Sequence, residues 1–145
     1  MLSKKAKYGL KAMILLAQHY EQGPLLISEI AQKEAIPKKF LELILLELKK
    51  QGILHSKKGK GGGYTLAKSP EMIKMGHIVR ILDGPLAPLP CVSVTAYAKC
   101  QECRDEKTCG IRIVMKDVRD AIAHILDGTS LADVLKRVHA MEDEF

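Results

Sequence analysis

The stretch Gly59-Lys60-Gly61-Gly62-Gly63 constrains this chain more than any other. Four glycines in five residues cannot continue a helix, because each costs about 1 kcal/mol relative to alanine in a helix interior. Ile53-Leu54-His55-Ser56-Lys57-Lys58 precedes it and Tyr64-Thr65-Leu66 follows it. The three pieces read as two short strands joined by a glycine-rich, lysine-bearing loop, that is, a β-hairpin. No Gly-Lys-Ser/Thr follows the glycines, which excludes a phosphate loop of the Walker type.

Upstream of the hairpin the periodicity is helical. Ser3 is a candidate N-cap, and Ala6, Leu10, Met13, Ile14 and Ala17 recur at helical spacing until Gly23-Pro24. A short second helix is expected from Ser28 as N-cap, through Ile30 and Ala31, to Ala35. A third runs from Pro37 to Gln51, with Leu41, Ile44, Leu45 and Leu48 at i, i+3, i+4 and i+7, and stops at Gly52. Three helices followed by such a hairpin form a winged helix-turn-helix, with the third helix as the recognition helix and the hairpin as the wing.

Downstream, Pro70 to Leu82 reads as one more helix, ended by Asp83-Gly84-Pro85. Pro85, Pro88 and Pro90 then mark an extended linker. All four cysteines follow in one short window. Beyond them Ile111, Val114, Met115, Val118, Ile122, Ile125 and Leu126 keep a single apolar stripe on a helix from about Lys107 to Leu126, closed by Asp127-Gly128. Ser130, with Asp133 three residues on, should cap a last helix that buries Leu131, Val134, Leu135 and Val138, and Met141 to Phe145 should form a frayed acidic tail. The expected fold class is therefore mainly α with a small β-hairpin wing: a winged helix-turn-helix plus a long C-terminal dimerisation helix. The expected divisions are residues 1–84 for DNA binding, 85–110 for a cysteine-rich sensor loop, and 111–145 for dimerisation and the C-terminal helix.

Composition excludes other classes. The 145 residues are 47% apolar and 28% charged, as in a soluble globular domain. The longest unbroken apolar run, Ala12 to Ala17, is far below the roughly 18 residues of a membrane span, and Met1 leads straight into Ser3-Lys4-Lys5 without a signal-type apolar stretch. A cytoplasmic protein with reduced thiols and no membrane partner is expected. The net charge of +6 is unevenly spread. Residues 1–70 hold 13 Lys against 5 Glu, a net of +8, and residues 71–145 hold 10 basic against 12 acidic residues, a net of −2. Such a split suits either a polyanion partner for the first half or simply a solvated surface.

Any single lysine here also fits a solvated helix face, but the helix-turn-helix pattern, the glycine-rich wing and the local charge together point to DNA. A helix fits the major groove, where base edges carry a distinct pattern of donors and acceptors. Lys38, Lys39 and Glu42 lie at the N-terminal end of the third helix, where a recognition helix meets bases. The lysines can reach guanine acceptors or phosphates, and Glu42 can accept from a cytosine amino group. The wing adds Lys57, Lys58 and Lys60, with Gly61 and Gly62 allowing close backbone approach and Tyr64 bracing the hairpin. Lys4 completes the candidate DNA-binding set.

Cys91, Cys100, Cys103 and Cys109 are spaced C-x8-C-x2-C-x5-C. Four soft thiolates in a proline-led loop suit an iron-sulfur cluster, 2Fe-2S or 4Fe-4S, or zinc. Structural zinc usually takes two paired C-x2-C knuckles, and only Cys100 and Cys103 form such a pair. The uneven spacing is easier to meet around a cluster, whose several irons spread the sulfur ligands. A thiol switch stays open as well, with Lys99, Arg104 and Lys107 nearby to favour ionised thiols. His77 and His124 read as packing or surface residues, and no triad-like arrangement points to nucleophilic catalysis.

These pieces together resemble a known family. The basic first helix, Ile36-Pro37-Lys38-Lys39-Phe40-Leu41-Glu42, the wing Gly59-Lys60-Gly61-Gly62-Gly63-Tyr64-Thr65-Leu66, the cysteine loop, the long helix and Thr129-Ser130-Leu131-Ala132-Asp133 are similar, over nearly the whole chain, to the Rrf2 family of bacterial transcriptional regulators, in particular its cysteine-bearing members of the IscR, NsrR and RirA kind. The resemblance implies a homodimer formed through the long helix, with Ile111, Val114, Met115, Val118, Ile122 and Ile125 at the interface. It implies a double-stranded DNA operator, and in the cluster-bearing members a response to iron, redox state or nitric oxide. Cys91, Cys103 and Cys109 correspond to the family's ligand cysteines, although 11 residues separate the first two; Cys100 is an addition and the candidate fourth ligand. Arg112 stands where IscR-like members place a histidine, Tyr8 where NsrR-like members place an acidic ligand, and Lys60 where a proline is frequent. A regulator structured by zinc or switched by thiols is the alternative within the same class. A redox enzyme or a cluster-assembly interaction protein would leave the charge of residues 1–70 without a role.

Overall fold

The protein was described from a computed structural model covering residues 2–143. Helix α1 spans Lys4–Gln18, α2 Ile27–Glu34 and α3 Lys38–Lys50. Strands β1 (Leu54–Lys57) and β2 (Gly63–Leu66) pair antiparallel, with Leu54 opposite Leu66 and Lys57 opposite Gly63. Helix α4 (Met75–Asp83), the cysteine segment, α5 (Gly110–Gly128) and α6 (Leu131–Asp143) complete the chain. The mainly helical winged architecture expected from the sequence is the one observed.

Local chemistry sets the boundaries. The Ser3 hydroxyl accepts from the Ala6 N–H at 3.0 Å and so caps α1, while the Ser3 N–H donates to Asp83 Oδ2 at 3.0 Å, tying the start of α1 to the end of α4. Helix α2 starts one residue before the expected cap: its N-cap is Leu26, without a side-chain bond, and Ser28 lies inside the first turn. Ala35 ends α2 in the left-handed region (φ 53°), which turns the chain sharply into Ile36-Pro37 and α3. Ser130 and Asp133 form the expected reciprocal cap, with Asp133 N–H to Ser130 Oγ at 3.0 Å and Ser130 N–H to Asp133 Oδ2 at 2.9 Å.

Three expectations need correction. The Pro70–Leu82 segment is not one helix. Pro70–Met72 is a single 3-10 turn, and Ile73-Lys74 is extended because it pairs with the chain entering α6. Met75 N–H donates to Thr129 O and Leu131 N–H to Ile73 O, both at 2.9 Å. The long helix begins at Gly110 rather than near Lys107, after a separate 3-10 turn at Glu106–Thr108, and it runs on through Asp127 and Gly128. The tail is helical as far as Asp143; Glu144 and Phe145 lie outside the described residues.

One core unites α1, α2, α3, the hairpin, α4 and the start of α6. Met13, Ile30, Leu41, Ile44, Leu45, Leu48, Ile53, Leu54, Ile73, Ile78 and Leu131 are its fully buried side chains. Leu131 is therefore the only member of the expected apolar face of α6 that is fully enclosed; Leu135 packs against the core edge, and Val134 and Val138 are half-buried. The crossing of α1 and α4 is close: a Cβ at Gly9 would lie 2.1 Å from Leu82 Cδ1. Truncating a fully buried residue such as Ile44 to alanine should cost about 2–5 kcal/mol. Leu43→Ala, one position earlier but exposed, should cost less than about 0.5 kcal/mol. Urea denaturation followed by circular dichroism separates the two, and equal losses would contradict the described orientation of α3.

Candidate nucleic-acid interface and thiol cavity

Helix α3 buries Leu41, Ile44, Leu45 and Leu48 against the core, and the helical period then turns Lys38, Lys39 and Glu42 to solvent. Lys4, Lys57, Lys58, Lys60 and Gly61 are also exposed. Lys5 is paired at the surface with Glu47, 2.6 Å from its Oε2. Lys11 donates to the Glu34 carbonyl, which joins α1 to the end of α2.

Gly62 is buried, and its N–H closes the wing turn on Gly59 O at 3.0 Å. A Cβ there would sit 2.2 Å from Lys57 O, so its part is to shape the loop. Gly63, at φ +137°, lets a third segment approach: Leu25 N–H donates to Tyr64 O at 3.0 Å and Tyr64 N–H to Leu25 O at 2.8 Å. A side chain at Gly63 would meet the Leu25 carbonyl at 2.3 Å. This bridge fixes the wing to the turn before α2. Tyr64 is half-buried, and burial first, then the nearby Glu42 carboxylate, raise its phenol above the ordinary value. The base of the wing therefore adjoins α3. Tyr8 is packed edge-on against Phe40, with ring centroids 5.6 Å apart and planes at 85°, which gives it a structural role between α1 and α3.

The four cysteines come together around one cavity of about 450 Å³ at the foot of α5, which Leu89, Ile111 and Arg112 also line. Cys91 is buried, Cys100 exposed, and Cys103 and Cys109 intermediate; all four are free thiols. The Cys103 N–H donates to Cys100 O at 3.2 Å, a knuckle-like turn. Partial burial, then the adjacent Cys109 and Cys100 and the Glu106 carboxylate, push the Cys103 thiol up. Glu106, which lines the cavity, accepts from the Tyr97 hydroxyl. Among the described residues no three His, Cys, Asp or Glu side chains stand close enough to hold a single metal ion. The donor chemistry, four soft thiols on one cavity, fits a thiolate-ligated group; the loop must draw in to engage it.

Cys109 is the N-cap residue of α5, so the cavity abuts the start of that helix. No residue of α5 is fully buried, and Ile111 (66%), Val114 (55%) and Ile125 (60%) are largely exposed. Val118 and Ile122 are more than a third exposed, and Met115 is intermediate. The expected stripe is thus in place and open within the single chain. The far end of α5 is held to α4 by a two-pronged ion pair, Arg80 Nη1 to Asp127 Oδ1 at 2.6 Å and Nη2 to Oδ2 at 2.8 Å. The Arg80 bond holds the Asp127 carboxyl below the usual carboxylate value. That contact is complete above the unfolded carboxylate pKa and is lost as pH falls through the lower folded one. Sequence reading did not identify this pair, which is 47 residues apart, nor the Leu25 bridge. It also passed over Leu43 and Leu46, which lie exposed on the outer side of α3. His77 and His124 are on the surface.

Comparison with known proteins agrees with this geometry. Residues 2–137 match the family model described as "Rrf2: Iron-dependent Transcriptional regulator". The chain is 43% identical over 138 residues to a putative HTH-type transcriptional regulator, rrf2-like, of Rhodobacter capsulatus, covering 93% of this chain and 92% of that one. It is similar in structure to CymR (YrzC), titled the global cysteine regulator of B. subtilis, with a TM-score of 0.80, 31% identity, and 94% and 97% of the two chains covered. It is also similar to T. potens IscR, with a TM-score of 0.76, 32% identity, and 95% and 88% covered. These relatives are named as regulators, and none as an enzyme. With three helices leading into a glycine-built hairpin and a match that runs almost from end to end, the chain belongs to the Rrf2 family of transcriptional regulators.

Proposed function

We propose that the protein is a cytoplasmic, homodimeric DNA-binding regulator whose operator affinity is set by an iron-sulfur cluster held at Cys91, Cys100, Cys103 and Cys109. The observation that carries this reading is the position of the thiol cavity: all four cysteines line it, and it abuts the first turn of the helix with the open apolar face. Residues 1–84 would read DNA, residues 85–110 would sense, and residues 111–145 would join the copies. Two recognition helices on a two-fold axis meet half-sites about one helical turn apart.

When bound, a cluster supplies a centre that gains or loses electrons and that oxidants or nitric oxide can attack. The protein's own part is mechanical. Engaging the four thiols draws residues 91–109 together and fixes the start of α5. The α5 stripe orients the second copy, and Arg80–Asp127 with the Ile73–Leu131 pairing carry that orientation to α4 and the reading domain. Operator affinity then changes while the reading residues stay the same.

A second reading, a zinc-structured or thiol-switched regulator, is favoured by the Cys100–Cys103 knuckle turn and by the likeness to CymR. Protein purified without air decides between them. Iron with acid-labile sulfide and a brown colour, lost in Cys103→Ser, supports the cluster; a colourless protein with one zinc per chain supports the alternative.

Two further outcomes are expected. Val118→Glu places a carboxylate in the middle of the α5 stripe, where an unpaired buried charge costs several kcal/mol. The dimer dissociation constant should rise about 100-fold or more, seen as monomer in sedimentation; an unchanged dimer would move the interface elsewhere. Lys38→Ala with Lys39→Ala should weaken operator binding about 10-fold or more and reduce the slope of log affinity against log salt by about 1 to 2. Unaltered affinity and slope would remove α3 from the interface.

A further inference from the structure

The outermost ridge of α3 is not polar. Lys39, Leu43, Leu46 and Lys50 follow one another at i, i+4, i+7 and i+11 on the side opposite the buried Leu41, Ile44, Leu45 and Leu48. Leu43 is 63% exposed and Leu46 41%. At 1.5 Å per residue the ridge is about 16 Å long, cationic at both ends and apolar in the middle. On one flank Glu47 is paired with Lys5, and on the other Glu42 is exposed. Among the described residues nothing covers the outer face of these two leucines.

Their surroundings decide what does. A second copy would bring its own lysines, from a half of the chain with a net charge of +8, against these. A duplex brings phosphates to the lysines at each end and the floor of the major groove to the middle. The C5-methyl of thymine is the apolar contact that base pairs offer on that floor. We propose that Leu43, supported by Leu46, reads thymine methyl groups, so that each half-site carries thymine opposite the middle of α3, beside the base contacted by Glu42. The inference rests on the DNA-binding reading above. It makes Leu43 a specificity residue, whereas the lysines supply affinity.

The test uses the full-length protein and a duplex library with randomised centres. Selection should enrich thymine in each half-site. Replacing those thymines by uracil removes only the methyl group and should weaken binding about three- to fivefold per contacted position. Leu43→Ala, with unchanged circular dichroism, should bind the thymine and uracil duplexes equally. Selected sites without thymine, or a wild-type protein that binds both duplexes alike, would overturn this proposal and leave the DNA-binding reading standing. Failure to bind any duplex overturns both. A Leu43→Ala variant that changes oligomeric state while keeping the thymine preference assigns the ridge to contacts between copies and also overturns it.

Discussion

A helix of nineteen residues is stable in water only when its apolar side is covered, and α5 is covered by its own chain along one edge alone. Leu126 and the Arg80–Asp127 pair hold its C-terminal end to the core, and the cysteine segment leans on its N-terminal end. Between them six aliphatic side chains from Ile111 to Ile125 stay more than a third exposed. Fully burying an aliphatic side chain of this size is worth about 1.5–3 kcal/mol, so a partner seated on this face would gain several such increments. In the proposed homodimer that partner is a second copy, because a two-fold axis presents the same stripe to itself. The proposed mechanism depends on that contact, which would hold two copies of α3 at a fixed separation.

The ties between α5 and the reading domain are few and specific. The backbone pairing of Ile73–Met75 with Thr129–Leu131 interrupts what would otherwise be one helix from Pro70, and it places the entry to α6 inside the core. Leu131 is fully buried there. Arg80 and Asp127 form the second tie, and a Cβ at Gly76 would meet Asp127 Oδ1 at 2.1 Å, so that glycine leaves room for the ion pair. A displacement at the cavity end of α5 therefore reaches α4 through a backbone ladder and a planar charged pair, both stiffer than a loop. Helix α4 is in turn bonded to the cap of α1 through Asp83 and Ser3. On the proposed function, changes in the fold of the thiol segment would act through these ties on the DNA-reading face.

Much of this was legible in the residues because it is periodic or local. The buried faces of α1 and α3, the wing glycines, the Ser130–Asp133 cap and the α5 stripe are all patterns within a few residues of sequence. What the sequence hid is non-local. The break at Ile73-Lys74 is dictated by residues 129–131, and the Leu25 bridge by the absence of a side chain at Gly63. Helix α2 starts at Ile27 rather than after Ser28, because the residues before it are pinned to the wing. Leu43 and Leu46 were invisible for a different reason. In Phe40-Leu41-Glu42-Leu43-Ile44-Leu45-Leu46 apolar residues occupy both faces, so period alone cannot separate core from surface. The cysteines announced themselves by crowding, but only the folded chain shows that all four border the same cavity.

The composition of the α3 ridge bears on how such a regulator can be tuned without losing its address. Phosphate contacts by lysine supply affinity that falls steeply with salt and carries no sequence information. Base contacts supply selectivity in small increments that add only if the helix sits at the correct depth and register. An apolar contact is especially sensitive to depth, because dispersion fades within a fraction of an ångström to an ångström of separation. A sensor that shifts the recognition helix slightly would thus weaken the Leu43 contact before it releases the lysines from phosphate. The protein would then drift from specific to non-specific binding on the same DNA rather than leave it altogether. On this view the exposed leucines between lysines and the distant thiol cavity would belong to one device, in which the cavity would set the distance and the apolar ridge would be the part of the interface most able to register it.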